Sequence, residues 1–251
     1  MGAVLDHSPS LWKGLFFVSA FIGLGGLGVQ SRIEVKEEVF FEKRLSWKEL
    51  IIQPWRDSYL LMRTKPAFAR FQWGFMVCGL GIMCIQPVLP LFAVDQLETS
   101  YIELAGAISI AKGLGFCLSS LLWARWIEKT SIIKLASIVF FSVGLFPFFL
   151  SLSVWSIPWF YLAYFWYGVG QGGSHLVWNM SGPIFSGKEN SSRYTGVNVV
   201  LAGLRGIIGP SMGGCFLLLS GPMEVLWIGG LFCFYSGLLL YTTREKESIS
   251  S

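Results

Sequence analysis

Apolar residues in this chain come in long runs separated by short polar interruptions. Seven runs stand out, at about 11–30, 67–92, 100–123, 131–152, 157–181, 194–219 and 222–242. Each has roughly the 20 residues that an α-helix needs to cross about 30 Å of hydrocarbon. The expected fold class is therefore an all-α membrane protein with seven transmembrane helices. The expected organisation is an outer segment with the first helix at 1–30 and a linker at 31–66. A six-helix bundle follows at 67–243, then a tail at 244–251.

Local signals support these elements. Ser100-Tyr101-Ile102-Glu103 reads as a capping box for the third span, which makes Glu103 a helix cap rather than a transport carboxylate. Pro66 suits the first turn of the second span, and Pro87 and Pro90 should bend its outer end. Residues 46–65 read as an amphipathic helix opened by a capping box from Ser46 to Glu49. Its Trp47, Ile51, Trp55 and Leu61 suit a membrane interface, and a solvated linker helix fits the same pattern.

Charge turns the spans into a topology. Sixteen of the 19 Lys and Arg residues fall in four alternate connections: 31–70, 124–134, 184–193 and the tail. The connections near 93–99, 153–156 and 220–221 carry none. Basic loops stay in the cytoplasm, so the amino terminus should be outside and the carboxyl terminus inside. The expected location is the plasma, or inner, membrane. The net charge of +4 is explained by these loops, and no nucleic-acid partner is expected. Composition agrees, at 53% hydrophobic and 14% charged residues against about 25% charged in soluble domains.

Several motifs carry no function. The five cysteines lie in apolar runs without a Cys-x-x-Cys pair and read as small packing residues. The first ten residues lack the basic start of a signal peptide. Gly182 to Glu189 nearly spells a phosphate-binding loop, but Glu189 stands where Ser or Thr is needed. No metal site, cofactor or catalytic constellation is expected.

The layout from residue 67, six spans with tiny outer loops after a long basic linker, resembles the major facilitator superfamily from its sixth helix onward. The motifs lie in 164–214. Gly168-Val-Gly-Gln-Gly172 is followed by Trp178-Asn179, a short basic loop and Gly203-Leu-Arg-Gly206-Ile-Ile-Gly209-Pro210-Ser-Met-Gly213-Gly214. This stretch is similar to the family's tenth and eleventh helices. Arg205 replaces the upstream glycine of the family's antiporter element, so that assignment does not carry over. A second element of the family, Gly-x-x-x-Asp-Arg, is represented by Ser120, Ala124 and Arg125, with Lys129 following. The missing Asp puts in question the gating role that the resemblance implies for Arg125 and Lys129.

The resemblance implies that the last six spans form one half of a transporter bundle. The other half would come from another chain or a second copy, or the chain would be a remnant. Such halves face each other around a central cavity.

Two charges remain at membrane depth, Lys112 and Arg205. A charge there costs about 2.5–3.5 kcal/mol on insertion scales, and no Asp or Glu of the chain lies at that depth. Their partner is an acidic residue of another half, a cluster of backbone carbonyls, or an anionic solute. Each sits on the middle helix of a triplet and precedes a glycine, Gly113 or Gly206. They are expected to line one cavity as pseudo-symmetric equivalents. The fifth span carries Tyr164, Gly168, Gln171, His175 and Asn179 on one face, at steps of three and four. The sixth carries Thr195, Asn198, Ala202, Arg205 and Gly209 likewise. Such polar faces line a wet cavity or glue helices together. For His175 a packing role is as good a reading as a solute contact.

The expected function is the carboxyl-terminal half of a secondary transporter moving a small solute by alternating access. Lys112, Arg205, Tyr164, Gln171, His175, Asn179 and Asn198 would meet the solute. The second, third, fifth and sixth spans would form the cavity face. The alternatives are a non-transporting remnant or interaction protein, and an intramembrane enzyme using His175, for which no constellation exists.

Overall fold

A computed structural model of the chain describes residues 6–7, 9–32 and 47–249. The described residues are helices joined by short turns, with no strand among them. The first helix, α1, spans Trp12–Gln30 after a single 3₁₀ turn. It is apolar enough to cross a bilayer, yet none of its span is buried in the protein. Phe16, Phe21 and Ile22 are exposed.

Helix α2, Trp47–Thr64, is the expected amphipathic helix. Ser46, the expected cap, lies outside the described residues. Trp55 is exposed, as an interfacial residue should be, with Ile52 and Tyr59 beside it. Leu61 is not interfacial: it is buried in the core with Phe68 and Phe71. The helix therefore docks on the bundle through one edge and presents the other outward.

The next span begins at α3, Pro66–Ile85, with Pro66 in its first turn. Pro87 breaks it as the sequence implies, since a proline cannot donate to the preceding turn. A short helix α4, Val88–Leu91, and a π turn, Phe92–Gln96, complete the crossing. Helix α5, Tyr101–Gly106, opens with both hydrogen bonds of the expected capping box between Ser100 and Glu103. Asp6 adds its carboxylate to the free amides of Tyr101 and Ile102, at 2.7 and 2.9 Å. A π turn, Ala107–Ala111, then leads into α6, Lys112–Ile127. The π turn ends immediately before Lys112, and such turns inside helices recur at functional sites.

Four long helices follow: α7, Ile132–Leu152; α8, Ile157–Ser186; α9, Ser191–Leu219; and α10, Pro222–Ile249. Gly187, at φ 56°, ends α8 in a conformation that favours glycine. Among the described residues, six helical stretches are long and apolar enough to cross a membrane. The seventh expected span lies within α8. Its glycines and its Gln171, His175 and Asn179 dilute its apolarity, but it packs along α6, α7 and α9.

The bundle closes as a ring in which α3 packs on α10, α10 on α7, α7 on α8, α8 on α9, and α9 back on α3. Helix α6 lies outside the ring, against α8. Hydroxyls tie the helices together: Ser137 donates to Gly237 O at 2.7 Å and Ser236 to Gly74 O at 2.5 Å. One apolar cluster, around Phe68, Phe71, Phe140 and Tyr194, fills the end near α2. A second, around Phe92, Phe146, Phe160 and Leu226, fills the opposite end. The space between them is where the polar residues gather.

The glycine-rich run of α9 divides by face. A side chain at Gly213 would strike the carbonyl of Cys84, and one at Gly209 would strike Met83. These two let α9 approach α3 closely. Gly203, Gly206 and Gly214 have nothing near them among the described residues. The cysteines divide likewise: Cys78, Cys84 and Cys233 are buried, while Cys117 and Cys215 are exposed.

Candidate solute cavity and its two cations

A cavity of about 510 Å³ opens between α3, α7, α8 and α9. That is within the range of small-molecule sites. Its polar lining comes mostly from α8, through Gln171, Ser174, His175 and Asn179, with Gln86 and Arg205 from other elements. Phe75, Phe140, Tyr167 and Trp178 form its aromatic walls. A second cavity of about 300 Å³ adjoins it and shares Gln86 and Tyr167. Lys112 and Tyr164 line this second one. Among the described residues, no carboxylate lines either.

Arg205 reaches across from α9 to α3. Its Nη1 donates to the carbonyl of Phe75 at 3.1 Å. The guanidinium lies over the Phe75 ring, 4.7 Å from its centroid, and 5.7 Å from that of Trp178. Each such cation–π contact is worth about 0.5–2 kcal/mol, which offsets part of the loss of water. The Nε atom is buried and has no hydrogen-bond partner among the described residues. A buried donor left this way costs about 1–3 kcal/mol, and more when charged. Of the three partners the sequence allows, a backbone carbonyl takes one edge of the guanidinium. Nε lacks an acceptor among the described residues.

Lys112 is held differently. Its Nζ stands 4.9 Å from the centroid of the Tyr167 ring. It does not share Arg205's cavity, which corrects the expectation of two equivalents in one space. Helix α6 packs closely on α8 here: a side chain at Gly168 would strike the carbonyl of Lys112. Tyr167, which carries Lys112 on its ring, lines both cavities. The place expected for the third span in the main cavity is taken by α7, through Phe140 and Val143.

The polar stripe of α8 splits along its length. Tyr164 is buried between Phe146 and Phe160 and reaches only the smaller cavity. Gly168 packs on α6, while Gln171, His175 and Asn179 face the main cavity. The His175 ring stands edge-on to Phe116, with centroids 5.8 Å apart. Asn198 does not line the cavity. It is 2% exposed, accepts from Gln72 Nε2, and donates to Ser181 Oγ at 2.8 Å and Trp178 O at 3.4 Å. That network pins α3, α8 and α9 together, so Asn198 is glue rather than a solute contact. Arg125 and Lys129 are exposed near the end of α6 and line neither cavity.

At the same end of the bundle as α2, Lys65 pairs with Glu189 at 2.6 Å, and Tyr194 donates to Glu189 at 2.7 Å. The Lys65 ammonium hydrogen-bonded to it, and then the Tyr194 hydroxyl, hold the Glu189 carboxyl below its ordinary range. The same bond raises Lys65. This clasp ties the α2–α3 junction to the α8–α9 turn.

Sequence reasoning missed Phe75, Tyr167 and Trp178, the residues that receive the two cations. Tyr167, Gln171, Ser174 and Trp178 recur at steps of four, three and four, so an aromatic–polar stripe was there to be read on α8. Nothing in the sequence joins Phe75 to Arg205.

In comparison with known proteins, residues 1–210 match the family model of the Major Facilitator Superfamily. None of the curated proteins compared with the chain matches it.

Proposed function

The chain belongs to the major facilitator superfamily, and from that premise we propose that it is the carboxyl-terminal half of a secondary transporter working by alternating access. It is an integral membrane protein of a transporter family, and a small solute and lipid are its contacts. The solute of this proposal carries negative charge or a strong acceptor group. It meets Arg205 in the main cavity, with Gln171, His175 and Asn179 completing the polar wall. Lys112 and Tyr164 act from the adjoining cavity, and Arg125 and Lys129 belong to a gating turn at the end of α6.

The observation that carries this reading is a sizeable cavity lined by Arg205, with no carboxylate beside it and its buried Nε without an acceptor among the described residues. A purely structural arginine would have its donors satisfied, because leaving one unmet is costly. The two cations gain most from an anion in a site of low dielectric. The six helices from residue 67 form one half of the proposed transporter, and an amino-terminal half or a second copy supplies the other. Helices α6 and α9 expose Leu114, Leu118, Val199 and Ile207, apolar surface suited to such a partner or to lipid.

The proposed orientation has the amino terminus outside and the carboxyl terminus in the cytoplasm of a plasma membrane. Reporter fusions after residues 40, 128, 189 and 248 should be cytoplasmic, and those after 97 and 155 external. An external signal at 128 or 189 ends the topology. The decisive test is the chain extracted from membranes in mild detergent. It should leave as a pair or with a second membrane chain, and the reconstituted assembly should drive solute flux. A stable, isolated single copy would refute the half-transporter reading.

A further inference from the structure

Helix α2 divides its surface three ways. Ser58 and Leu61 are buried, and Met62 packs beside them, so this stripe faces the bundle. Through it the helix lies on α9 and α3. On one flank Ile52, Trp55 and Tyr59 recur at steps of three and four, and are 60%, 50% and 65% exposed. On the other flank stand Gln53, Asp57 and Thr64, all polar. Arg56 and Arg63 are exposed along the crest beside the apolar flank, with Leu60 between them. Water on both flanks would give no reason for three large apolar side chains to gather on one of them. An exposed apolar patch rimmed by charge marks a surface that meets something.

The position of α2 in the chain says what that is. Only Lys65 separates its last residue, Thr64, from Pro66, where the next span begins. The carboxyl end of α2 is therefore level with the edge of the hydrocarbon. Trp and Tyr concentrate at that level, where the ring can sit in the apolar layer and the polar tip in the wet one. The charges fit the same surface. No carboxylate pairs with Arg56 or Arg63 among the described residues, whereas Lys65, toward the bundle, is paired with Glu189. The planar fork of arginine matches phosphate oxygens. Two turns of helix set the two arginines about 10 Å apart, enough to engage separate headgroups.

We propose that the outward face of α2 is a binding surface for anionic phospholipid, with Ile52, Trp55 and Tyr59 at the boundary of the acyl chains and Arg56 and Arg63 on headgroup phosphates. A leaflet complements this face in both respects, apolar beside the aromatic flank and negative beside the arginines. The proposal needs only that the chain is embedded in a membrane, so it stands or falls apart from the solute reading.

The full chain reconstituted in phosphatidylcholine vesicles tests it. Phosphatidylglycerol or phosphatidylcholine brominated on the upper acyl chain is added as a short-range quencher of tryptophan. The difference in emission between the parent and Trp55→Phe isolates Trp55. Both lipids should quench it, phosphatidylglycerol at an about fivefold lower fraction, the scale of one cation near an anionic surface. High salt should narrow this preference, because the charges are exposed. Arg56→Gln together with Arg63→Gln should abolish the preference and leave quenching by phosphatidylcholine in place.

Trp55 emission untouched by either lipid would overturn the proposal and mean that protein or water covers this face. Equal quenching by the two lipids in the parent would overturn it as well, leaving an interfacial helix without a headgroup site. So would a preference that survives both high salt and the double substitution. The lipid and salt comparisons use only the parent and Trp55→Phe, so they decide the matter even if the double variant fails to accumulate.

Discussion

Lys112 and Arg205 look alike in the sequence, each a lone cation on a middle helix followed by glycine, but the bundle treats them differently. Arg205 lines the larger cavity, is clamped by a carbonyl and two rings, and keeps a buried Nε without an acceptor among the described residues. Lys112 rests on a single ring in a smaller space. The difference lies in the neighbours. Helix α9 lays Arg205 against Gly79 and Phe75 of α3, whereas α6 is pressed onto α8 with Gly168 against its backbone. A planar, forked cation with one bound edge selects the shape of its partner. A point charge over a ring tunes the potential without selecting shape.

Substitutions at the two cations should separate these roles. Arg205→Ala should lower solute uptake by about 10–150-fold, the equivalent of one charged hydrogen bond, at nearly unchanged abundance. Arg205→Lys should recover part of it. Membrane blots beside uptake assays check both, and normal uptake at normal abundance would take Arg205 out of the solute site. If instead Arg205→Ala reduces abundance, it pairs with a buried carboxylate of the other half, and neutralising that carboxylate should restore the protein.

The packing contact between α6 and α8 can be broken directly. Gly168→Ala puts a methyl group onto the Lys112 carbonyl, and overpacking of this kind costs about 1–3 kcal/mol. Abundance and thermal stability in detergent should fall. Alanine at Gly206, which has open space around it, should change the thermal midpoint little. Equal effects at the two glycines would deny that α6 and α8 touch here.

Lys112→Gln should have a smaller effect on uptake, about 2–10-fold, because only a cation–π contact and a neighbouring charge are lost. A loss as large as that of Arg205→Ala would restore the equivalence of the two cations and make them one site.

The smallest effect belongs to the Lys65–Glu189 clasp, which is exposed at both ends. Glu189 has a lowered pKa, so its contribution is present above the ordinary carboxylate value of about 4.3 and disappears as pH falls through the lowered one. Lys65 has a raised pKa, so its contribution is present below about 10.4 and disappears as pH rises through the raised one. The stability difference between the parent and Glu189→Gln should therefore be small and flat from about pH 5 to 9. It should shrink in high salt. A steep change near neutral pH would mean that another group titrates at the clasp.

Much of the fold was legible because a bilayer imposes length and apolarity on each crossing. The break at Pro87, the capping box at Ser100 and the start at Pro66 were legible because each depends on neighbours in the chain. The division of the α9 glycines was not. All five sit in the same run, and only Gly209 and Gly213 face another helix. Asn198 shows the same limit. Its spacing puts it on Arg205's face, but whether that face meets a cavity or Gln72 depends on how far along the helix the neighbours part.

Helix count, the polar faces of α8 and α9, and two membrane-depth cations without an acidic partner in the chain follow from the sequence alone, because each is set by composition and local period. Which helix is sheathed and which stays exposed among the described residues, as α1 does, was decided by packing. So were the exchange of the third span for α7 in the cavity wall and the separation of Lys112 from Arg205. Those outcomes depend on contacts between residues far apart in the chain, such as Gly168 with Lys112 and Phe75 with Arg205, which exist only once the helices have closed into a ring.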